Sequence, residues 1–347
     1  MNIKSIGDII LDEASSAAEL RDALNAFVLL CSDIGGIRPD ASFDAWAEDS
    51  LLDNGVAINP RAAAHCAVDY QRSVMFIRGV HAAINTLKLR FPDTPIEILY
   101  AGCGPFATLL LPLLVKFNPG ELCISMLDIH QRSLESVELL LAHFELGAHA
   151  TRTIRADACH YTHPKKLHLV IAETMQKSLE QEPQFVVTAN LGPQLWPTGI
   201  FIPQRIEVVL CLADLAHEKE LVSQLQQIDP DALGKSGDRY PLATVCTLSP
   251  ESAADQLDPI TVVIPKLADM SRLDAALFTR IAVFEQYLLR DYESEITLPQ
   301  KCHELAPLAG GERYKVSYQL GSYPKFNFER VSDQKPSSRL TPPYQTS

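Results

Sequence analysis

The chain has 347 residues, 47% of them hydrophobic and 21% charged, enough for buried cores in two domains of ordinary size. A formal net charge of −13, from 43 acidic against 30 basic residues, repels polyanions, argues against a nucleic-acid partner and suits a cationic substrate. No apolar stretch reaches the roughly 18 residues of a membrane span, and Met1-Asn2-Ile3-Lys4 runs into Asp8, Asp12 and Glu13 rather than a signal peptide, so a cytoplasmic protein without membrane contact is expected.

Residues 1–92 read as a helical region, with an amphipathic helix over 14–33 and, after Asn59-Pro60, a longer helical stretch from Arg61 to about Leu89. Next comes an apolar strand, Ile96 to Ala101, which breaks into Gly102-Cys103-Gly104-Pro105 before the apolar stretch Phe106 to Val115. That pattern predicts a strand, a tight turn and a helix. Glycines at 102 and 104 let the chain turn sharply and leave room for a ligand against the backbone. A Gly-x-Gly-x-x-Gly fingerprint would need glycine at Ala107, so a nucleoside is expected here rather than a pyrophosphate. A second strand, Leu122 to Leu127, ends at Asp128, where an α/β unit delivers an acid to ribose hydroxyls. Beyond the helical stretch Arg132 to Leu146, a third strand from Thr153 ends at Asp157-Ala158, where Asp157 either meets an adenine amine or caps the local chain. The fourth, Leu167 to Ala172, ends at Glu173, and Glu182 follows nine positions later with Glu180 between them. Strand ends that each carry a turn residue or an acid place ligands at the carboxyl edge of a parallel sheet over residues 93–205.

From Ile206 the pattern changes to separated strand-like runs: 206–212, 242–248, 260–264, 276–289, 314–320 and 326–331. A mostly β domain is therefore expected over 206–334, with a polar helix over 214–227 and an unstructured tail from 335 to 347. The eight cysteines are scattered without a Cys-x-x-Cys pair and read as reduced thiols. Cys159-His160-Tyr161-Thr162-His163, with His168 nearby, lacks a second ligand pair at familiar spacing, so no metal site is expected.

The segment from Ile96 to Ala158 resembles the class I S-adenosylmethionine-dependent methyltransferases. By that resemblance the fold is a Rossmann-like doubly wound sheet. Gly102 and Gly104 would underlie the methionine part of the cofactor, Asp128 would hold ribose, and Asp157 with Ala158 would lie by adenine; Phe106 stands where that family commonly has a third glycine. Further on, Glu173-Thr174-Met175 through Glu182, followed by Gly199-Ile200-Phe201-Ile202-Pro203, resembles the double-glutamate hairpin of protein arginine methyltransferases. This implies that Glu173 and Glu182 clamp a guanidinium, a planar fork of five N–H donors that paired carboxylates can orient. Met175 would lie on the acceptor side or pack locally.

Several further expectations follow from the resemblance. The cofactor's carboxylate would meet an arginine of the preceding helices, Arg72 or Arg78, with Arg78 carried as the candidate. A β barrel would follow the hairpin, and the helix over 214–227 would be either a dimerisation arm, giving a homodimer, or a helix packed on its own barrel. The family's Thr-His-Trp loop is missing: the nearest stretch is Thr297-Leu298-Pro299-Gln300, followed by His303, and the only tryptophans are Trp46 and Trp196. The acceptor is therefore left open between a protein arginine and a small cationic compound. A non-guanidine acceptor of secondary metabolism, or a partner protein that binds cofactor without catalysis, are the alternatives.

Overall fold

The computed structural model describes residues 1–40, 42, 48–149, 151–224, 239–252 and 258–331. Trp46 and the tail expected from 335 lie outside the described residues. At the centre is a five-stranded parallel sheet in the order β5 (Arg152–Arg155), β4 (Leu122–Asp128), β3 (Ile96–Ala101), β6 (Leu167–Ala172), β7 (Leu195–Ile202). Central strands β3 and β6 are buried at every position, as an apolar run covered on both faces must be. The chain leaves β3 toward β4 on one side and later returns to β6 on the other, so a crevice opens between their carboxyl ends.

Alternation along β3 assigns its two faces. Ile96, Ile98 and Tyr100 join the core under α4 (Tyr70–Arg90), whereas Leu99 and Ala101 pack with Val187 and Leu191 of α6 (Gln184–Leu191). The first core also takes in α1 (Ile3–Leu11), α2 (Ala17–Gly35) and α5 (Gln131–His143). The helix expected over 61–89 is divided: α3 (Pro60–Cys66) stops, and Asp69 caps α4 by accepting from Arg72 N. After Gly104 no α-helix forms. Turns lead instead to a short 3-10 segment, Leu111–Lys116, because Pro105 and Pro112 lack backbone donors and Ala107 takes φ +43°.

The carboxyl-terminal half is built of two antiparallel sheets. One pairs β8 (Arg205–Ala213) with β9 (Arg239–Leu248) and β11 (Asp274–Phe284), and β11 also pairs with β12 (Tyr287–Leu289) and β13 (Gln300–Lys301). The other runs β10 (Ile260–Val263), β14 (Arg313–Gln319), β15 (Lys325–Arg330). Among the described residues no ladder joins the two sheets into a closed barrel. Helix α7 (Leu215–Gln224), in the place where an arm was one expectation, packs on its own sheet. Its Glu218 accepts two bonds from Arg239, from Nε and Nη2, both at 2.8 Å, while Asp291 takes the other end of that guanidinium and also pairs with Arg280. Arg239 further stacks 4.1 Å from the Phe278 ring.

Glu218, Arg239 and Asp291 are all nearly out of solvent, so removing one partner strands the others. Arg239→Met is expected to cost about 3–5 kcal/mol in urea unfolding, and Arg239→Met with Glu218→Gln less than the two single costs together. An additive double variant would show the pair to be uncoupled.

Candidate active site

An open cavity of about 960 Å3, counted to its mouth, lies over the carboxyl ends of β3, β4 and β6. Its lining includes Gly102, Gly104, Asp128, Asp157, Ala158, Glu173 and Glu182. The floor is the turn after β3. Gly102 has φ +67° and Gly104 φ +62°, and a Cβ on Gly102 would stand 2.5 Å from Thr174 Cγ2, so glycine is required there on both counts. Gly104 N donates to Asp128 Oδ2 (2.9 Å) and His130 N to Asp128 Oδ1 (2.8 Å), so the buried acid at the end of β4 ties down the turn after β3. Asp157 caps its own loop, accepting from Cys159 N at 2.8 Å, while lining the same cavity. Of the two sequence readings of that residue, capping is the one its hydrogen bond shows.

Where a third glycine was compared, buried Phe106 lines the wall. Leu127, Ile129 and Val187 add apolar surface. A glycine floor, two strand-end acids with lone pairs to spare and apolar walls fit a nucleoside rather than a phosphate group, the chemistry expected of an adenosyl cofactor.

Arg78 is a correction. Its Nε donates to Ile10 O and its Nη2 to Asp12 O, both at 2.7 Å, which closes the carbonyl end of α1, and it does not line the cavity. Arg72 does line it, paired with Glu173 and largely buried. Six residues along a helix turn a side chain about 240° away, so the two arginines leave α4 on different sides. Met175 is also corrected from an acceptor contact to core: it is 1% exposed and does not line the cavity.

The segment between the glutamates is held in an uncommon conformation. Ser178, Leu179 and Gln181 have φ of +59°, +55° and +66°, each costing about 1–3 kcal/mol for a residue with a side chain. Hydrogen bonds from three directions maintain it. Ser178 N donates to Thr279 Oγ1 (2.8 Å), Tyr318 Oη to Leu179 O (2.5 Å), Gln181 N to Pro324 O (2.9 Å) and Val56 N to Gln181 O (2.7 Å). Three of these partners belong to the antiparallel sheets or the turn between β14 and β15, so one part of their work is to fix the loop that carries Glu182.

Sequence reasoning missed the source of the fourth bond. A hairpin of β1 (Ser50–Leu52) and β2 (Gly55–Ala57) lies against the glutamate loop and puts Leu52 and Val56 into the cavity lining. The signal was present in Leu51-Leu52-Asp53-Asn54-Gly55-Val56-Ala57, where turn-forming residues separate two apolar pairs; the turn itself is Asp53-Asn54, with Leu52 paired to Gly55.

Electrostatically the two glutamates differ. Burial pushes the Glu173 carboxyl upward against the pull of Arg72, and Glu173 in turn holds the guanidinium charged. One oxygen of Glu173, Oε1, is buried with no hydrogen-bond partner. Glu182, 8% exposed, has no hydrogen bond or ion pair to its side chain among the described residues. Burial first, and then the neighbouring Glu173 charge, raise it to about 8. One acid without a side-chain partner and the open Oε1 of its neighbour, beside a nucleoside-shaped cleft, form a receptor for a cation or an N–H donor.

The Thr297 segment is turned to another task. Ser294 Oγ and Glu295 N both donate to Asp69 Oδ2 (2.6 and 2.9 Å), so this turn buttresses the start of α4. His303 is exposed and away from the cavity.

No family model and no curated protein matches the chain. Among solved structures, a Trypanosoma brucei PRMT1 enzyme–prozyme heterotetrameric complex with AdoHcy is similar at 13% identity and a TM-score of 0.47, over 78% of this chain and 93% of that one. Arabidopsis thaliana protein arginine methyltransferase 10 is similar at 11% identity and a TM-score of 0.43, over 72% and 86%. That likeness is one of chain path, and what the site does must be judged from the residues of this chain.

Proposed function

We propose that the protein is an S-adenosylmethionine-dependent N-methyltransferase whose acceptor is a cationic nitrogen compound of the guanidinium or amine type. The observation that carries this reading is Glu182: a desolvated acid without a partner, in the same cavity as the Gly102–Gly104 turn and Asp128. Asp128 and Asp157 would hold the ribose and adenine parts of the cofactor, with Ala158 beside them. Arg72, which lines the same cavity, would meet its carboxylate with the part of the guanidinium that Glu173 leaves open.

When bound, the sulfonium supplies an electrophilic methyl group; the new N–C bond forms as the C–S bond breaks, and the electron pair of that bond stays on sulfur. The chain's own contribution is orientation and charge. Glu182 accepts N–H bonds from the acceptor and takes its proton, before the attack for an ammonium, whose nitrogen otherwise has no lone pair, and as the bond forms for a guanidinium. Glu173, neutralised by Arg72 through one oxygen, offers Oε1 as a second acceptor that fixes the plane of the nitrogen group. The surrounding apolar walls keep both interactions strong by excluding water.

Glu182→Gln and Glu173→Gln are each expected to lower methyl transfer from labelled cofactor about 100-fold or more while calorimetry finds cofactor affinity little changed. Normal turnover in both would remove the clamp.

The raised Glu182 carboxyl also sets a pH dependence. An acid that ionises less readily in the folded state than in the unfolded chain contributes stability that is fully present below the unfolded value, and that contribution is lost as pH rises through about 8. Cofactor-free protein is therefore expected to lose thermal stability between about pH 5 and pH 8, and Glu182→Gln to flatten that slope. Because a cation binds the ionised form, kcat/KM should climb about tenfold per pH unit below 8 and level off above it; a flat wild-type profile would show that Glu182 does not titrate there.

A further inference from the structure

We propose that the methyl acceptor is a free small molecule bearing one cationic nitrogen group, an amine or a guanidine, and not an arginine within a polypeptide. This rests on the methyltransferase reading and narrows its substrate.

The first ground is where the walls come from. Every residue lining the cavity falls between Leu52 and Val187, and among the described residues the two antiparallel sheets contribute none. A polypeptide acceptor needs a trench with room for backbone on either side of the inserted side chain. Here the antiparallel half sits behind the glutamate loop, bonded to it through Thr279, Tyr318 and Pro324, and its Glu295–Thr297 turn is closed onto Asp69.

The second ground is the roof. The β1–β2 hairpin is anchored at one end by Ser50 Oγ and His130 Nε2, 3.1 Å apart beside the Asp128 turn, and at the other by Val56 N to Gln181 O. Its Gly55 is pressed onto the chain flanking Glu182: a Cβ there would stand 2.8 Å from Gln181 O and 2.9 Å from Pro183 N. No strand of polypeptide fits between hairpin and glutamate loop at that point. Leu52 and Val56 point into the cavity, a surface that suits a short aliphatic stem and leaves peptide N–H and C=O groups without partners.

Charge supplies the third ground. Arg72 already neutralises Glu173, so Glu182 is left to balance a single positive charge.

The test uses the full chain with methyl-labelled cofactor and an extract of the source cells split into dialysable and retained fractions, each offered separately. Label in the dialysable fraction, exceeding that in retained protein by more than about tenfold and falling about 100-fold in Glu182→Gln, is the expected result. Label confined to retained protein and lost in Glu182→Gln would overturn the small-molecule assignment while leaving the methyltransferase reading intact. Label in neither fraction would overturn the reading itself. A readout independent of turnover is calorimetry of free arginine, methylguanidine and butylamine in two buffers of different ionisation enthalpy below pH 8. Release of a proton on binding by the wild type, and none in Glu182→Gln, is expected for at least one of the three; tighter binding of an arginine-containing peptide than of all three would contradict it.

Discussion

The molecule is organised around the cost of leaving one carboxyl group in an apolar crevice without a partner. Glu182 is removed from water beside the Arg72–Glu173 pair, and burial together with the Glu173 charge raises it to about 8 against the weaker pull of Arg72. Such a group is a standing penalty for the empty protein and a binding force for any cation that enters. Much of the surrounding architecture serves to keep it there.

Its position is enforced from outside the nucleotide-type sheet. The loop from Glu173 to Glu182 runs through three left-handed residues that would relax if left alone, and strands from the antiparallel half together with the amino-terminal hairpin bond to its backbone. Among the described residues, the antiparallel half thereby acts on the site without lining it. Its own integrity depends on another buried charge cluster, in which Arg239 and Arg280 are balanced by Glu218 and Asp291. In that cluster every charge is met; at Glu182 one is not, and the contrast separates a structural ion network from a receptive site.

Much of this plan was legible in the sequence because it rests on period and punctuation. Apolar runs at 96–101, 122–127 and 167–172 could only be buried strands, and the residues that ended them, Gly102, Asp128 and Glu173, were brought to one edge by the sheet. Strands after Ile206 were found within a few residues of their ends for the same reason, although the run 276–289 conceals a turn between β11 and β12. Three-dimensional choices were less legible. Arg72 and Arg78 sit in the same helical pattern, and only the packing of α1 against α4 decides that Arg78 is consumed by carbonyls of Ile10 and Asp12. The stretch after Gly104 was apolar enough for a helix, but prolines at 105 and 112 override that pattern. The hairpin that turns at Asp53-Asn54 was short enough to be overlooked, yet it closes the site.

The central claim is measured most directly by a carbon NMR titration of the Glu182 carboxyl in cofactor-free protein, with Glu182→Gln to assign the signal. A midpoint near 8 that falls when a cationic acceptor is added is the expected result. A midpoint at the ordinary carboxyl value of about 4.3, unmoved by the acceptor, would contradict it.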